Sequence, residues 1–229
     1  MISKNRLKYI RSLEMKKFRK QEGVFVAEGP KVIDDLKDYF ELVEMWEGED
    51  ADKASFLETP QHKLAIFKQR QENMDANLPD TTLCLALDDV QNPGNFGTII
   101  RIADWFGIHH IYCSEECADV YNPKVVQATM GSLARVHIHY CNLAKFIDGL
   151  DKNTPVYGTF LDGDIIYNKE LKQRGLIIMG NEGHGVSDEI AALVTERLYI
   201  PNYPQDSISG ESLNVAIATA IVCNEFRRR

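Results

Sequence analysis

Short apolar runs alternate with helical segments from Thr81 onward, and this alternation is the feature that most restricts the fold. A strand, helix, strand order with apolar strands predicts a mostly parallel sheet covered by helices on both faces, so the fold class is α/β. The predicted strands are TTLCLAL, HHIYC, RVHIHY, PVYGTFL, GLIIMG and RLYIP, and the predicted helices cover residues 95–106, 123–131, 143–150, 187–194 and the chain from Ser212 onward.

A shorter pattern of the same kind precedes this region. GVFVAEG predicts a strand, PKVIDDLKDYF a helix with Pro30 in its first turn, and ELVEMWEG a second strand. The polar segment 68–80, KQRQENMDANLPD, lacks periodicity and predicts a linker. We therefore divide the chain into a small α/β domain over residues 1–75 and a larger domain over residues 76–229.

The formal net charge of -8 excludes a protein that is basic over its whole surface. The charge is unevenly distributed, because residues 1–20 contain eight lysines and arginines and one acidic residue, Glu14. Such a basic pole suits the binding of phosphate groups. The cluster of positive charge by itself is equally consistent with an N-terminal helix that is merely solvated and binds nothing.

Five cysteines, an odd number, fit reduced thiols better than a disulfide framework. His109, His110, Cys113 and Cys117 are close in sequence, but HHIYC predicts a strand whose alternate side chains point to opposite faces. Only part of the set could meet at one zinc ion, so we expect no metal. We expect a cytoplasmic protein, because the N-terminus lacks a signal-peptide pattern and no apolar run approaches the roughly 20 residues of a membrane span.

The segment DDVQNPGNFGTIIRIADWFG places Asn95 at the start of a predicted helix. On a helical wheel its apolar residues form a stripe about 120° wide, and Arg101 lies about 140° from Phe96, on the far side. Arg101 therefore faces away from the core of its own domain. Without further information, Asn95 would be a helix N-cap and Arg101 a solvated surface residue.

The segment GLIIMGNEGHGVSDE runs from an apolar strand into Gly180, Gly183 and Gly185. Glycines let a backbone approach a ligand closely, and a loop at the carboxyl end of a strand is where open α/β sheets bind small molecules. The alternative is a tight turn between a strand and a helix. The spacing G-x-x-G-x-G differs from the dinucleotide fingerprint and from the P-loop.

The C-terminal segment YIPNYPQDSISGESLNVAIATAIVCNEFRRR predicts a helix with Ser212 as its N-cap. From Leu213 to Cys223 only Asn214 and Thr219 are polar, so this helix is apolar on nearly every face and should be buried on all sides. A position in the core of one subunit would explain this pattern. A position beside a subunit interface would explain it equally well.

Three motifs follow one another in the larger domain: N-P-G-N-F-G-x-x-x-R ending at Arg101, M-G-N-E-G-x-G from Met179, and I-P followed by E-S-L-N-V-A-I-A from Glu211. In this order they resemble the SpoU (TrmH-like) class of S-adenosylmethionine-dependent RNA 2'-O-methyltransferases, in the SPOUT superfamily. The resemblance covers residues 81–229, and residues 1–75 resemble more weakly a small ribosomal-protein-like RNA-binding domain. It implies a C-terminal trefoil knot and a homodimer.

The resemblance also assigns residues to roles. The reactive group it implies is Asn95, Arg101, Glu182, Ser212 and Asn214, and the cofactor contacts it implies are Gly180, Asn181, Gly183, Ile200 and Leu213. The basic pole then becomes an RNA-binding surface, for which we select Lys16, Lys17, Arg19 and Lys20. The loop between Pro201 and Glu211 is longer than in many members of the class.

Methyl transfer from a sulfonium to a ribose 2'-hydroxyl requires the oxygen, the methyl carbon and the sulfur to lie in line. If Arg101 removes the hydroxyl proton, deprotonation of its guanidinium near neutral pH costs roughly 5 pKa units, or about 7 kcal/mol. Arg101 is therefore either a base assisted by a neighbouring phosphate or a cation that stabilises the developing alkoxide.

The main alternative is a non-catalytic RNA-binding protein that retains the fold. A nucleotide-dependent oxidoreductase is disfavoured, because the G-x-G-x-x-G fingerprint is missing. The additional N-terminal domain favours ribosomal RNA over transfer RNA as the substrate.

Overall fold

A computed structural model describes residues 1–204 and 212–228. The first part of the chain forms a three-stranded antiparallel sheet with strand order β1-β3-β2. Its elements are α1 (Lys4–Ser12), α2 (Lys16–Glu22), β1 (Val24–Glu28), α3 (Pro30–Leu36), β2 (Leu42–Glu47), α4 (Glu49–Ala54) and β3 (Lys63–Lys68). The sequence analysis did not predict β3, which is the central strand of this sheet.

The second part forms a six-stranded sheet in which every pair of neighbouring strands is parallel, in the order β6-β5-β4-β8-β7-β9. Its elements are α5 (Leu78–Thr81), β4 (Leu83–Leu87), α6 (Pro93–Trp105), β5 (His110–Cys113), α7 (Pro123–Thr129), β6 (His137–Tyr140), α8 (Leu143–Asp148), β7 (Val156–Ile165), β8 (Gly175–Met179), α9 (Asp188–Ala191), β9 (Glu196–Tyr199) and α10 (Val215–Arg227). The predicted α/β class with a mostly parallel sheet is confirmed.

The strand order places a crevice beside β4. From β4 the chain continues outward to β5 and β6, crosses to β7 on the other side of β4, and then forms β8 between β7 and β4. Ligands of open α/β sheets bind at such a switch point, outside the carboxyl ends of the strands. The loops that follow β4 and β8 meet there.

Two predicted helix starts are wrong. The cap of α6 is Asn92, whose Oδ1 accepts hydrogen bonds from the backbone N–H groups of Gly94 (2.9 Å) and Asn95 (3.1 Å). The cap of α10 is Asn214 and not Ser212, because the Asn214 Oδ1 accepts from the N–H groups of Ala216 and Ile217. Asn95 therefore lies inside the first turn of α6, and its side chain is free for other contacts.

The predicted complete burial of the last helix is also wrong for the single chain. Val222, Cys223 and Phe226 are fully buried, and one side of α10 packs on α6. Ile217, however, is 54% exposed, so α10 is not covered on every side within one chain. Among the described residues, no helix is both long and apolar enough to cross a membrane.

Candidate active site

The loops after β4 and β8 are joined by hydrogen bonds at the crevice. The Asp88 carboxylate accepts from the Ser187 N–H (2.7 Å), and the Asp89 carbonyl accepts from the Asn181 side-chain amide (2.7 Å). Asp89 adopts a left-handed backbone with φ of 57°, which is uncommon for a residue with a side chain. These bonds hold the first and second motifs together.

The glycine loop folds back on itself. The backbone groups of Asn181 and Gly185 exchange two hydrogen bonds of 2.9 and 3.0 Å, and the Asn181 Oδ1 accepts from the Gly183 N–H (2.7 Å). A Cβ atom on Gly180 would lie 2.2 Å from the carbonyl carbon of Gly185. Only glycine therefore fits at position 180 while the loop keeps this shape.

A cavity of about 490 Å³ lies beside this loop, which is a volume typical of small-molecule sites. All five residues assigned to cofactor contacts line it: Gly180, Asn181, Gly183, Ile200 and Leu213. The cavity also has apolar walls that the sequence analysis missed, formed by Phe160, Leu161, Met179, Leu198, Val215 and Ala218. Several of them lie at the carboxyl ends of the predicted strands, which is the signal that could have indicated them.

A second, more polar cavity of about 500 Å³ adjoins the first and shares Asn181, Glu182 and Ser212 with it. Three side chains form a chain of hydrogen bonds in its wall. The Glu182 Oε1 accepts from the Asn95 side-chain amide (3.0 Å), and the Asn95 Oδ1 accepts from the Asn214 side-chain amide (3.0 Å). Asn95 thereby connects all three motifs.

The structure thus brings together four of the five residues predicted for the reactive group, and Arg101 is the exception. Arg101 lies six residues after Asn95 on α6, about 9 Å further along the helix axis at 1.5 Å per residue. It is exposed and lines neither cavity. Its guanidinium forms no hydrogen bond or ion pair within residues 1–204 and 212–228.

The residues predicted to bind RNA separate into two groups. Lys16, Lys17 and Lys20 are exposed on α2, as RNA contacts require. The prediction that Arg19 binds RNA is wrong, because its side chain is 1% exposed and forms an ion pair with Asp119. A buried guanidinium with protein partners cannot contact RNA phosphates in this conformation.

The residues considered for zinc lie on and beside β5. Cys113 and Cys117 are buried and His109 is exposed, while His110 stacks on His137 and His139. Burial, together with the neighbouring histidines, lowers the pKa of His110 to about 4. Within the described part of the chain, no group of three or more His, Cys, Asp or Glu side chains could hold a metal ion. Most of the loop between Pro201 and Glu211, for which a greater length was predicted, lies outside the described residues.

The model of the SpoU rRNA Methylase family matches residues 82–224, which include both cavities and all three motifs. The chain belongs to the SpoU family. A second model, an MRM3-like substrate binding domain, matches residues 4–63.

Individual curated proteins are similar to much of the chain. The 23S rRNA (guanosine(2553)-2'-O)-methyltransferase RlmP of Bacillus subtilis is 34% identical over 172 residues, or 74% of this chain. The chain spans 55–66% of the length of three curated relatives that it matches, which is less than two thirds.

Two solved structures resemble the whole chain. A protein of the TrmH family of RNA methyltransferases from Porphyromonas gingivalis is 38% identical, with a TM-score of 0.87 over 100% of this chain and 99% of that one. An AdoMet-bound rRNA methyltransferase from Sinorhizobium meliloti is 30% identical, with a TM-score of 0.82 over 100% of this chain and 96% of that one.

Proposed function

We propose that this SpoU protein transfers a methyl group from S-adenosylmethionine to a ribose 2'-hydroxyl of RNA, with ribosomal rather than transfer RNA as the substrate. The observation that carries the proposal is the pair of adjoining cavities, one largely apolar and one polar, with Asn95, Glu182 and Asn214 bonded to each other in the polar wall. The name of the B. subtilis relative, a 2'-O-methyltransferase of 23S rRNA, supports the choice of substrate.

The apolar cavity fits S-adenosylmethionine. Its walls combine aliphatic side chains with the exposed backbone of the glycine loop, which can approach an amino acid and a nucleoside closely. Gly180, Asn181, Gly183, Ile200 and Leu213 would hold the cofactor there. When bound, the cofactor supplies an electrophilic methyl group on a sulfonium sulfur.

The polar cavity would receive the ribose. The Asn95 amide is held from both sides, by the Glu182 carboxylate and by the Asn214 amide, so its position is fixed before the RNA arrives. Such fixed polar groups, with Ser212 beside them, orient a hydroxyl for in-line attack. Most of the rate enhancement would come from this orientation.

We further propose a homodimer in which Arg101 of one subunit completes the site of the other. Two observations support it: Arg101 is exposed and lies outside both cavities, and α6 and α10 leave apolar side chains uncovered, Trp105 (84% exposed) on the first and Ile217 (54% exposed) on the second. A two-fold axis beside α6 and α10 would exchange the two arginines between sites. The trefoil knot and the cytoplasmic location also belong to this proposal.

Titration calorimetry and RNA methylation test the proposed activity. We expect S-adenosylmethionine to bind with a dissociation constant between the low micromolar and the millimolar range, without added metal. We also expect label from methyl-labelled cofactor to enter ribosomal RNA from cells that lack the gene, at a nucleotide that resists alkaline cleavage, because a methylated 2'-oxygen cannot attack the neighbouring phosphate. Purified transfer RNA is the control substrate. If RNA binds and millimolar cofactor gives neither heat nor thermal protection, the non-catalytic alternative is correct.

A further inference from the structure

The four basic residues of α2 face two directions. Lys16, Lys17 and Lys20 are exposed to solvent, whereas Arg19 on the same seven-residue helix is 1% exposed. A buried arginine is costly unless its donors are paired, so its partners indicate what it does.

The partners of Arg19 lie in both domains. Its Nη1 donates to the carbonyls of Leu13 (2.8 Å) and Glu14 (2.7 Å), which lie in the bend between α1 and α2. Its Nη2 forms an ion pair of 2.5 Å with the carboxylate of Asp119, which belongs to the loop after β5 in the larger domain. Arg19 therefore fastens α2 to the methyltransferase domain.

The loop that carries Asp119 is itself bonded to the first motif. The Ala118 N–H donates to the Val90 carbonyl (3.0 Å), and the Cys117 thiol donates to the Leu87 carbonyl (3.2 Å). Val90 immediately precedes Gln91 and Asn92, which line the polar cavity. A short series of bonded groups thus connects α2 with the place where the ribose would bind.

Further contacts hold the same junction. The Arg70 N–H donates to the Tyr121 hydroxyl of the larger domain (2.9 Å), and within the small domain the neighbouring Gln69 side-chain amide donates to the carbonyl of Arg19 (3.2 Å). The Phe25 ring of β1 packs on the Tyr121 ring with centroids 4.8 Å apart, and one hydrophobic core continues across both domains. The small domain is therefore held against the larger one and is not a loosely tethered arm.

We propose that Arg19 is a positioning residue: it fixes the lysines of α2 relative to the methyl-transfer site, so that RNA bound by α2 presents one defined nucleotide. This inference rests on the proposed function. Phosphate contacts set the register of a nucleic acid on a protein without reading its sequence. The selected nucleotide would then depend on the distance between α2 and the polar cavity, which the ion pair of Arg19 with Asp119 maintains.

Distances between two spin labels test the positioning directly. Labels on Gln21→Cys, exposed on α2, and Lys152→Cys, exposed in the larger domain, would report the position of α2 relative to the larger domain, in a Cys141→Ser background because the other four cysteines are buried. We expect a narrow distance distribution in the parent protein and a broader one in Arg19→Met. The matched control is Leu64→Ala, which removes a fully buried side chain from the core of the small domain alone. It should leave the distribution narrow.

Activity measurements complete the test. In Arg19→Met, kcat/KM for RNA should fall on the order of tenfold or more, with methylation spread over additional nucleotides, while the affinity for S-adenosylmethionine stays within about twofold. Asp119→Asn should have the same effect, and the double variant should be no worse than either single one. Arg19→Lys, which keeps the charge, should restore part of the selectivity.

Two results would overturn the role of Arg19. One is a narrow distance distribution in both Arg19→Met and Asp119→Asn. The other is an equal loss of RNA methylation in Leu64→Ala, which would mean that any destabilisation of the small domain suffices. If the parent protein methylates no RNA, the proposed function fails, and the distance measurements still decide whether Arg19 fixes the position of α2.

Discussion

Gly180 and Gly183 lie in one loop, three residues apart, and have different surroundings. A Cβ atom on Gly180 would lie 2.2 Å from the backbone carbonyl carbon of Gly185, whereas a Cβ on Gly183 would meet nothing closer than the Asn181 Oδ1 at 3.4 Å. The sequence showed that three glycines stand together, and it could not show which one is required. That distinction depends on the path by which the loop returns to Gly185.

We therefore predict that Gly180→Ala weakens the binding of S-adenosylmethionine at least tenfold, because the loop must open to admit the methyl group. Gly183→Ala is the matched control and should change the affinity by less than about threefold. Titration calorimetry measures both constants, and thermal unfolding checks that each variant is folded. Equal affinities for the two variants would contradict the role assigned to the loop.

The sequence also could not show that Arg19 is buried, and the prediction that it binds RNA was therefore wrong. Its charge and its neighbours in sequence resemble those of Lys16, Lys17 and Lys20. Its partner Asp119 lies 100 residues away, and no local pattern indicates a contact over that separation. The resemblance, in contrast, grouped Asn95, Glu182 and Asn214, because each belongs to one of its three motifs.

At the scale of elements, periodicity located most strands and helices of the larger domain. Strand β3, in contrast, was missed, although its buried run Leu64–Phe67 is apolar throughout, like the predicted strands β4 and β8. The predicted starts of α6 and α10 differ from the observed ones by up to three residues. Several neighbouring polar residues could cap each helix, and only the observed hydrogen bonds identify Asn92 and Asn214 as the caps.

Helix α2 gives a prediction at this scale. Replacing Lys16, Lys17 and Lys20 by alanine should weaken RNA binding at low salt and reduce the slope of log K against log salt by up to about 0.7–0.9 for each phosphate that α2 no longer neutralises. The affinity for S-adenosylmethionine should not change. The matched control replaces three other exposed lysines, Lys37, Lys152 and Lys172, and so makes the same change in net charge. If RNA affinity falls equally in both triple variants, RNA binding depends on the net charge of the protein and not on the lysines of α2.

At the scale of the whole molecule, the uncovered surface of α6 and α10 is the feature that one chain leaves unexplained. The sequence analysis left two explanations for the apolar last helix, the core of one subunit or a subunit interface. The first explanation holds for one side of the helix, because Val222, Cys223 and Phe226 are buried within the chain, while the half-exposed Ile217 leaves the second to the homodimer proposal. A sequence shows how apolar a helix is, but the number of faces covered depends on the packing partners.

The homodimer proposal predicts complementation between two inactive variants. Arg101→Ala should remove most activity with little loss of folding or cofactor binding, because Arg101 lies outside the cofactor cavity and would act in the transition state. Gly180→Trp should remove cofactor binding.

Heterodimers of the two variants, isolated by two different affinity tags, contain one intact arginine and one intact glycine loop on different chains. If Arg101 acts across the interface, those two parts form one complete site, and the heterodimers should recover up to about half of the two-site activity. If each site is built from one chain, mixing restores nothing; that outcome, or a monomer in sedimentation, would rule out the shared site.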